Sequence, residues 1–170
     1  MMFLAEPAKS EIEKVATVIR RSGVTSVETF AAEDADKGLV IASGNGVIDH
    51  PLVVRINPLF SGGKVGANAG DYLFLVGIWV PEAAHAEFLD WYRNEHLPIL
   101  LECSTWNGCQ FVERSVSDGH QFYALHQLEH PSALQSEQRR RSRATPWFMS
   151  LKQHAWFDEQ FTRQLYVSCS

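Results

Sequence analysis

Tyr92 and His96 stand four residues apart, a spacing that puts both side chains on one face of a helix, and Phe88 precedes Tyr92 by the same interval. Imidazole is the side chain whose ordinary pKa permits proton transfer in both directions near neutrality, so His96 is the first candidate acid or base, with Tyr92 to assist it. A structural role competes: Pro98 must kink or end the helix, and His96 could donate to a carbonyl that the proline frees. His126 is the second candidate. It lies in the run 121–128 and shares a strand face with Phe122, Ala124 and Leu128, while Tyr123 and Gln127 take the other face. Only one of those sets can line a cavity, and a satisfied core histidine is the competing assignment. Arg114, which shares its face with Gln110 and Val112, could hold a carboxylate or enolate through a bidentate contact, or else join a cross-strand ion pair.

A ring-binding site also needs apolar walls. Trp79, Trp91, Trp106, Trp147 and Trp156, with Phe74, Phe111, Phe148 and Phe157, are enough to stack an aromatic substrate, although aromatic residues at these spacings also build ordinary cores. The tract Arg139-Arg140-Arg141-Ser142-Arg143 could bind an acidic group or form a solvated helix end.

Other chemistries find less support. Metal binding needs three or four convergent ligands, and the His126 and His130 pair is followed by Pro131 at a strand end, where helical geometry fails. There is no HExxH motif and no cysteine cluster, so no metal is expected. Neither a nucleophile elbow nor a dinucleotide GxGxxG is present, and the Gly-Gly-Lys at 62–64 lacks phosphate-loop spacing. No cofactor is expected; if haem were bound, His154 on the last helix is the first axial ligand to test. Fifteen basic residues against twenty acidic ones give a net charge of −5, which offers no general attraction for nucleic acid or an anionic membrane. The apolar start at 1–5 is too short for a secretory core or a membrane span. Cys103, Cys109 and Cys169 form no regular framework, which suits reduced thiols and a cytoplasmic protein.

The elements that must position these residues follow from periodicity. Ile12, Val15, Ala16 and Ile19 predict an amphipathic helix over 9–21, with Ser10 as a possible cap and Gly23 beyond its end. Strand-like runs follow at 24–30, 39–42 and 52–56. Four glycines in 61–70 mark a connection between an N-terminal partial α/β unit, 1–60, and a main domain, 71–170. In the main domain the pattern predicts a strand at 72–80, a long helix from Pro81 to Leu101 bent at Pro98, and strands at 109–116 and 121–128 about a Ser117-Asp118-Gly119 hairpin turn. Helical stretches at 132–143 and 146–155 and a closing strand at 160–167 complete it. This β-α-β-β-α-β order is the ferredoxin-like plan: an α+β antiparallel sheet with both helices on one face. Its open face must be covered by a partner sheet, a ligand or the N-terminal segment, and a second copy of the chain, giving a homodimer, is the economical cover.

The run Asp90-Trp91-Tyr92-Arg93-Asn94-Glu95-His96-Leu97-Pro98, followed by Trp106-Asn107-Gly108, Phe122 to Leu128 and Thr145-Pro146-Trp147, resembles the dimeric α/β-barrel superfamily, nearest its EthD-like small proteins. The resemblance spans about 72–168. It implies two ferredoxin-like units whose sheets close a barrel, each with an apolar pocket between sheet and helices. It also implies a histidine at the position of His96 that lines the pocket in some relatives. Some relatives carry two units in one chain, and the first 70 residues then read as a shortened second unit without a convincing second helix or complete fourth strand. The expected function is a small cofactor-independent enzyme acting on an aromatic or apolar carbonyl compound by proton transfer: dehydration, decarboxylation, cyclisation or isomerisation. His96 would be the acid/base, helped by Tyr92 or His126. Trp91, Trp106, Phe122 and Trp147 would form the walls, and Arg114 would anchor the substrate. The alternatives are a non-catalytic ligand-binding or accessory protein, or a dimer whose pocket is filled by its own side chains.

Overall fold

Alternation along the strands assigns side chains to two layers. In a computed structural model, which describes residues 1–66, 69–114 and 120–169, eight strands close an antiparallel barrel in the order β1-β3-β2-β8-β5-β7-β6-β4. The strands are β1 Met2–Ala5, β2 Val24–Ala32, β3 Gly38–Gly44, β4 Val53–Gly63, β5 Tyr72–Ile78, β6 Trp106–Arg114, β7 Phe122–Leu128 and β8 Thr162–Ser168. Along β5, Leu73 and Leu75 point into the barrel while Phe74, Val76 and Ile78 point outward, as the period of two requires. The interior is packed with side chains, among them Leu4, Phe30, Ile56, Val112, Tyr123 and Tyr166. It is a core and not a channel.

The order repeats. Strands β4-β1-β3-β2 form one half and β8-β5-β7-β6 the other, each with its fourth and first, first and third, and third and second strands adjacent. The halves join where β2 pairs with β8 and β4 pairs with β6. The cover expected from a second copy therefore comes from residues 2–63 of the same chain, and the first unit has its fourth strand in full. That strand was obscured in the sequence by Asn57-Pro58 and by Ser61-Gly62-Gly63. β4 accommodates Pro58 at an irregularity in its pairing with β6 and continues through Gly63, into the stretch read as a connection.

Outside the barrel the halves differ. Helix α1, Ile12–Arg21, lays Ile12, Val15, Ala16 and Ile19 on Phe3, Ala5, Val40 and Ala42. A 3-10 turn at Lys9–Glu11 leads into it, with no side-chain cap from Ser10, and Gly23 follows with φ +80°, a conformation that glycine adopts without a Cβ clash. On the other side, α2 His85–Trp91, a π turn at Tyr92–His96 and α3 Leu97–Leu101 make one bent rod. The N–H of Leu97 bonds to the carbonyl of Tyr92, so the turn widens just before Pro98, whose ring excludes the regular helical bond at that point. Helices α4 Glu137–Ser142 and α5 Pro146–Leu151, capped by Ser136 and Thr145, cross the same face. The expected turn at 117–119 lies outside the described residues. Among the described residues no helix is long and apolar enough to cross a membrane.

Candidate functional site

A cavity of about 70 Å³ lies between the outer face of β5 and β7 and the helices α2 to α5. It is in the helix layer and not within the barrel. Its floor carries Phe74, Val76, Trp106 and His126. The bent rod supplies Phe88, Trp91, Tyr92 and His96, and the crossover between β7 and β8 contributes Arg139, Arg143, Phe148, Phe157, Asp158 and Phe161.

The π turn is the local cause of the site. Tyr92 begins it and His96 ends it, so both rings are presented to one space, with ring centroids 4.9 Å apart. Glu95, between them, accepts hydrogen bonds from Trp91 Nε1 at 3.1 Å and from Thr145 Oγ1 at 2.6 Å. Thr145 also caps α5, so this carboxylate ties the rod to the opposite wall.

His126 sits on the floor, 2 % exposed, with both ring nitrogens engaged. Trp106 Nε1 donates to Nδ1 at 3.1 Å, and Nε2 lies 2.7 Å from the Tyr92 hydroxyl oxygen. Indole N–H can only donate, so Nδ1 is the acceptor and a neutral imidazole carries its proton on Nε2. Nε2–H therefore donates to the Tyr92 oxygen. The hydroxyl proton of Tyr92 must then turn elsewhere, and among the described residues it meets no protein acceptor. Burial, reinforced by His96 and Arg139, holds the His126 pKa well below the usual histidine value and keeps the ring neutral. Burial likewise raises Tyr92 well above the ordinary phenol value, so its hydroxyl is a donor and not a phenolate.

His96 is set differently. Its pKa is pushed down to about 4, first by burial and then by Arg143 and Arg139, against the opposing effect of the Ser142 carbonyl. At neutral pH the ring is uncharged, and among the described residues its buried Nδ1 has no hydrogen-bond partner. Two cavity-lining residues on one turn of helix thus hold unassigned hydrogen-bonding capacity among the described residues: the Tyr92 hydroxyl proton and the buried His96 Nδ1.

Five of the candidate residues meet here: Trp91, Tyr92, His96, Trp106 and His126. Three do not. Arg114 lies on the β6 face that Val112 turns into the barrel, and its charge acts on Glu6. Phe122 is on the same face as His126 but at the far end of β7, roughly 13 Å away at strand rise, packed against His85 and Phe111. Trp147 flanks the inward Phe148 on α5 and packs at the margin of the cluster. His154 is exposed and stacks on Trp156 without lining the cavity, and the space present does not fit a macrocycle the size of haem. Among the described residues no cluster suited to a metal ion occurs. Sequence reasoning assigned no site role to Asp158, Phe161 or Arg163, and it balanced Arg139 and Arg143 against a solvated helix end. The one available signal was the basic tract, which lies beside aromatic positions only after folding.

No family model matches the chain, and no curated protein sequence does. Solved structures match over nearly the whole length. An anthrone oxidase-like protein superimposes with TM-score 0.71 at 10% identity, covering 99% of this chain and 91% of its own. A ferredoxin-fold protein of Listeria monocytogenes related to antibiotic biosynthesis monooxygenases gives 0.65 at 12% identity, covering 100% of this chain and 95% of its own. LmHde, a heme-degrading enzyme of Listeria monocytogenes, gives 0.62 at 12% identity, covering 98% and 97%. At these identities the likeness is one of fold: this chain has the α+β, antiparallel, ferredoxin-like barrel architecture of those proteins.

Proposed function

We propose that the protein is a small-molecule enzyme that binds an aromatic carbonyl compound in the helix-layer cavity and removes a proton from an acidified carbon next to the carbonyl. The observation that carries this reading is the chain from Trp106 through His126 to Tyr92, which leaves the Tyr92 hydroxyl proton without a protein acceptor among the described residues, on the same turn as His96, whose buried Nδ1 also lacks a partner there. Tyr92 would donate to the carbonyl oxygen, and that bond strengthens as the oxygen gains charge in an enolate. His96 Nδ1 would accept the carbon-bound proton and return it to carbon or to a leaving group. A base with a pKa of about 4 takes protons only from activated C–H groups. The substrate is therefore a methylene between two carbonyls, or between a carbonyl and aryl rings. The run Asp90–Pro98 supports an EthD-like identity within this fold.

The cavity, about 70 Å³, is smaller than the ~150 Å³ that holds benzene in an engineered protein core. Admission of a ring requires part of the wall to move. Residues 152–161, which carry Phe157, Asp158 and Phe161 and have no regular secondary structure, are the part that can.

The test is exchange of the methylene protons of a 1,3-diketone arene and of anthrone in D2O, followed by NMR. The protein should accelerate exchange, and His96→Gln should remove the acceleration. An exchange rate equal to that of buffer for every activated ketone tried would overturn the reading. The names of the structural neighbours favour a second outcome, in which the carbanion meets dioxygen: the methylene loses two hydrogens and gains one oxygen as a carbonyl, while the other oxygen leaves as water. Oxygen uptake, one molecule for each ketone consumed, distinguishes that outcome from simple proton return.

A further inference from the structure

We infer that the ligand of this cavity is an anion, an aromatic compound carrying a carboxylate that is received by Arg139 and Arg143. The inference rests on the cavity being the ligand site proposed above.

Arg139, Arg143 and Arg163 all line the cavity, and the one carboxylate there, Asp158, is taken by Arg163. Arg139 and Arg143 have other supports. Arg139 lies over the ring of Phe74 at 5.9 Å and gives one N–H to the Leu134 carbonyl at 2.7 Å. Arg143 lies over the ring of Phe148 at 5.9 Å. Both rings are cavity walls, so the two guanidiniums lie beside the lining with further N–H donors still to be placed.

A second groove adjoins the cavity and shares Arg139, Arg143 and Phe148 with it, adding Arg140 and Lys152. Among the described residues none of these four cations is within ion-pair distance of a carboxylate. Arg141, in the same run but outside the groove, is paired with Glu102. In a chain of net charge −5, an unneutralised cationic groove opening onto an aromatic cavity is a local field for an acidic ligand. A planar carboxylate matches the fork of a guanidinium, and its attached ring would lie among Phe74, Trp91 and Phe148.

The same geometry links binding to the base. His96 is faced by Arg139 and Arg143 across the cavity, by the Ser142 carbonyl, by His126 from the floor, and by Trp91 and Tyr92 on its own rod. A carboxylate on the arginines offsets the two charges that disfavour its protonation, so the ligand itself makes His96 a stronger base.

The experiment is calorimetric binding of 2-naphthoate and of 2-naphthamide, which match in shape and differ in charge. The expected result is naphthoate binding at least tenfold tighter at low salt, with the advantage shrinking as salt rises. Arg143→Gln, at an exposed position that should not disturb folding, and Arg139→Gln should each reduce the advantage, and Arg141→Gln should leave it intact. Equal binding of the two compounds, or an advantage unaffected by Arg143→Gln, overturns the anion inference and leaves the cavity reading standing. Binding of neither overturns both.

Discussion

The two halves of the barrel share one strand order and differ in what they place on its outer surface. On the first half a single helix sets Ile12, Val15, Ala16 and Ile19 against a mainly aliphatic sheet face that includes Ala5, Val40 and Ala42, and strands β3 and β4 are joined by residues 45–52 without a helix. Aliphatic side chains of this kind interlock with little void. On the second half, residues 129–161 join β7 to β8 and bring two helices and an irregular stretch across the sheet, over a layer rich in Phe, Trp and Tyr. Rigid aromatic plates meet at angles and leave space between them, and the polar groups in that space are His96, His126, Tyr92 and the arginines. Equivalent sheets therefore support a packed layer on one side and a site on the other. The long second crossover makes the difference, because it supplies most of the wall that the strands and the rod cannot.

If this division is right, substitutions in the two layers should fail in different ways. The largest effect is expected at the site: His96→Gln and Tyr92→Phe should each slow activated-ketone exchange by about 100- to 10,000-fold, the range general acid–base groups contribute; thermal unfolding should move little in His96→Gln, while Tyr92→Phe, which leaves the buried His126 Nε2–H without its acceptor, should also lose about 1–3 kcal/mol of stability. Next in size is Ile19→Ala in the packed layer. Removing a fully buried side chain should cost about 2–5 kcal/mol of stability, measured by denaturant unfolding, with naphthoate affinity of the folded protein unchanged. A loss of affinity in Ile19→Ala equal to that in the site variants would mean that the layers are not independent.

These expectations also show what the sequence could and could not disclose. The helix over 9–21 and the β-α-β-β-α-β order of the second half were readable because periods of 3.6 and 2 are imposed by burial on one face, and that burial leaves a mark at each turn. The strand β4 was not readable past Ile56: Leu59 and Phe60 stand side by side and break the alternation, and Pro58 with the glycines resembles a turn until an irregular pairing accommodates them. Among the site residues, His96, Tyr92, Trp106 and His126 stood out by side-chain chemistry. The order of donation among them depends on distances set by three different elements. Arg139 and Arg143 were ambiguous for a different reason, since a basic helix end looks the same in sequence whether water or a cavity faces it.

A third expectation concerns pH. His96 has a folded pKa of about 4 against 6.5 for the ordinary side chain, so the unfolded chain binds a proton more readily. Its contribution is then absent as a penalty above pH 6.5, and stability falls as pH drops from 6.5 towards 4, by roughly 3 kcal/mol for this group alone. His126 is shifted in the same direction and adds to the fall. Unfolding midpoints measured between pH 7 and 4 should therefore slope less steeply in His96→Gln than in the parent protein. Ile19 packs among apolar side chains, away from His96 and His126, so Ile19→Ala should leave the slope as it is.

The smallest effect, and the most specific, is expected from Trp106→Phe. Phenylalanine keeps most of the volume and removes the one donor that obliges His126 Nδ1 to accept. The imidazole is then free to carry its proton on either nitrogen, and in the Nδ1–H form the Tyr92 hydroxyl must donate to Nε2 instead of to the ligand. Nitrogen chemical shifts of His126 should change from one fixed tautomer to a mixture, and exchange of the activated ketone should slow by about tenfold or less, since part of the population keeps the productive arrangement. A cavity cost alone would lower stability without altering those shifts. The tautomer signal therefore separates a tryptophan that only fills space from one that aims the tyrosine.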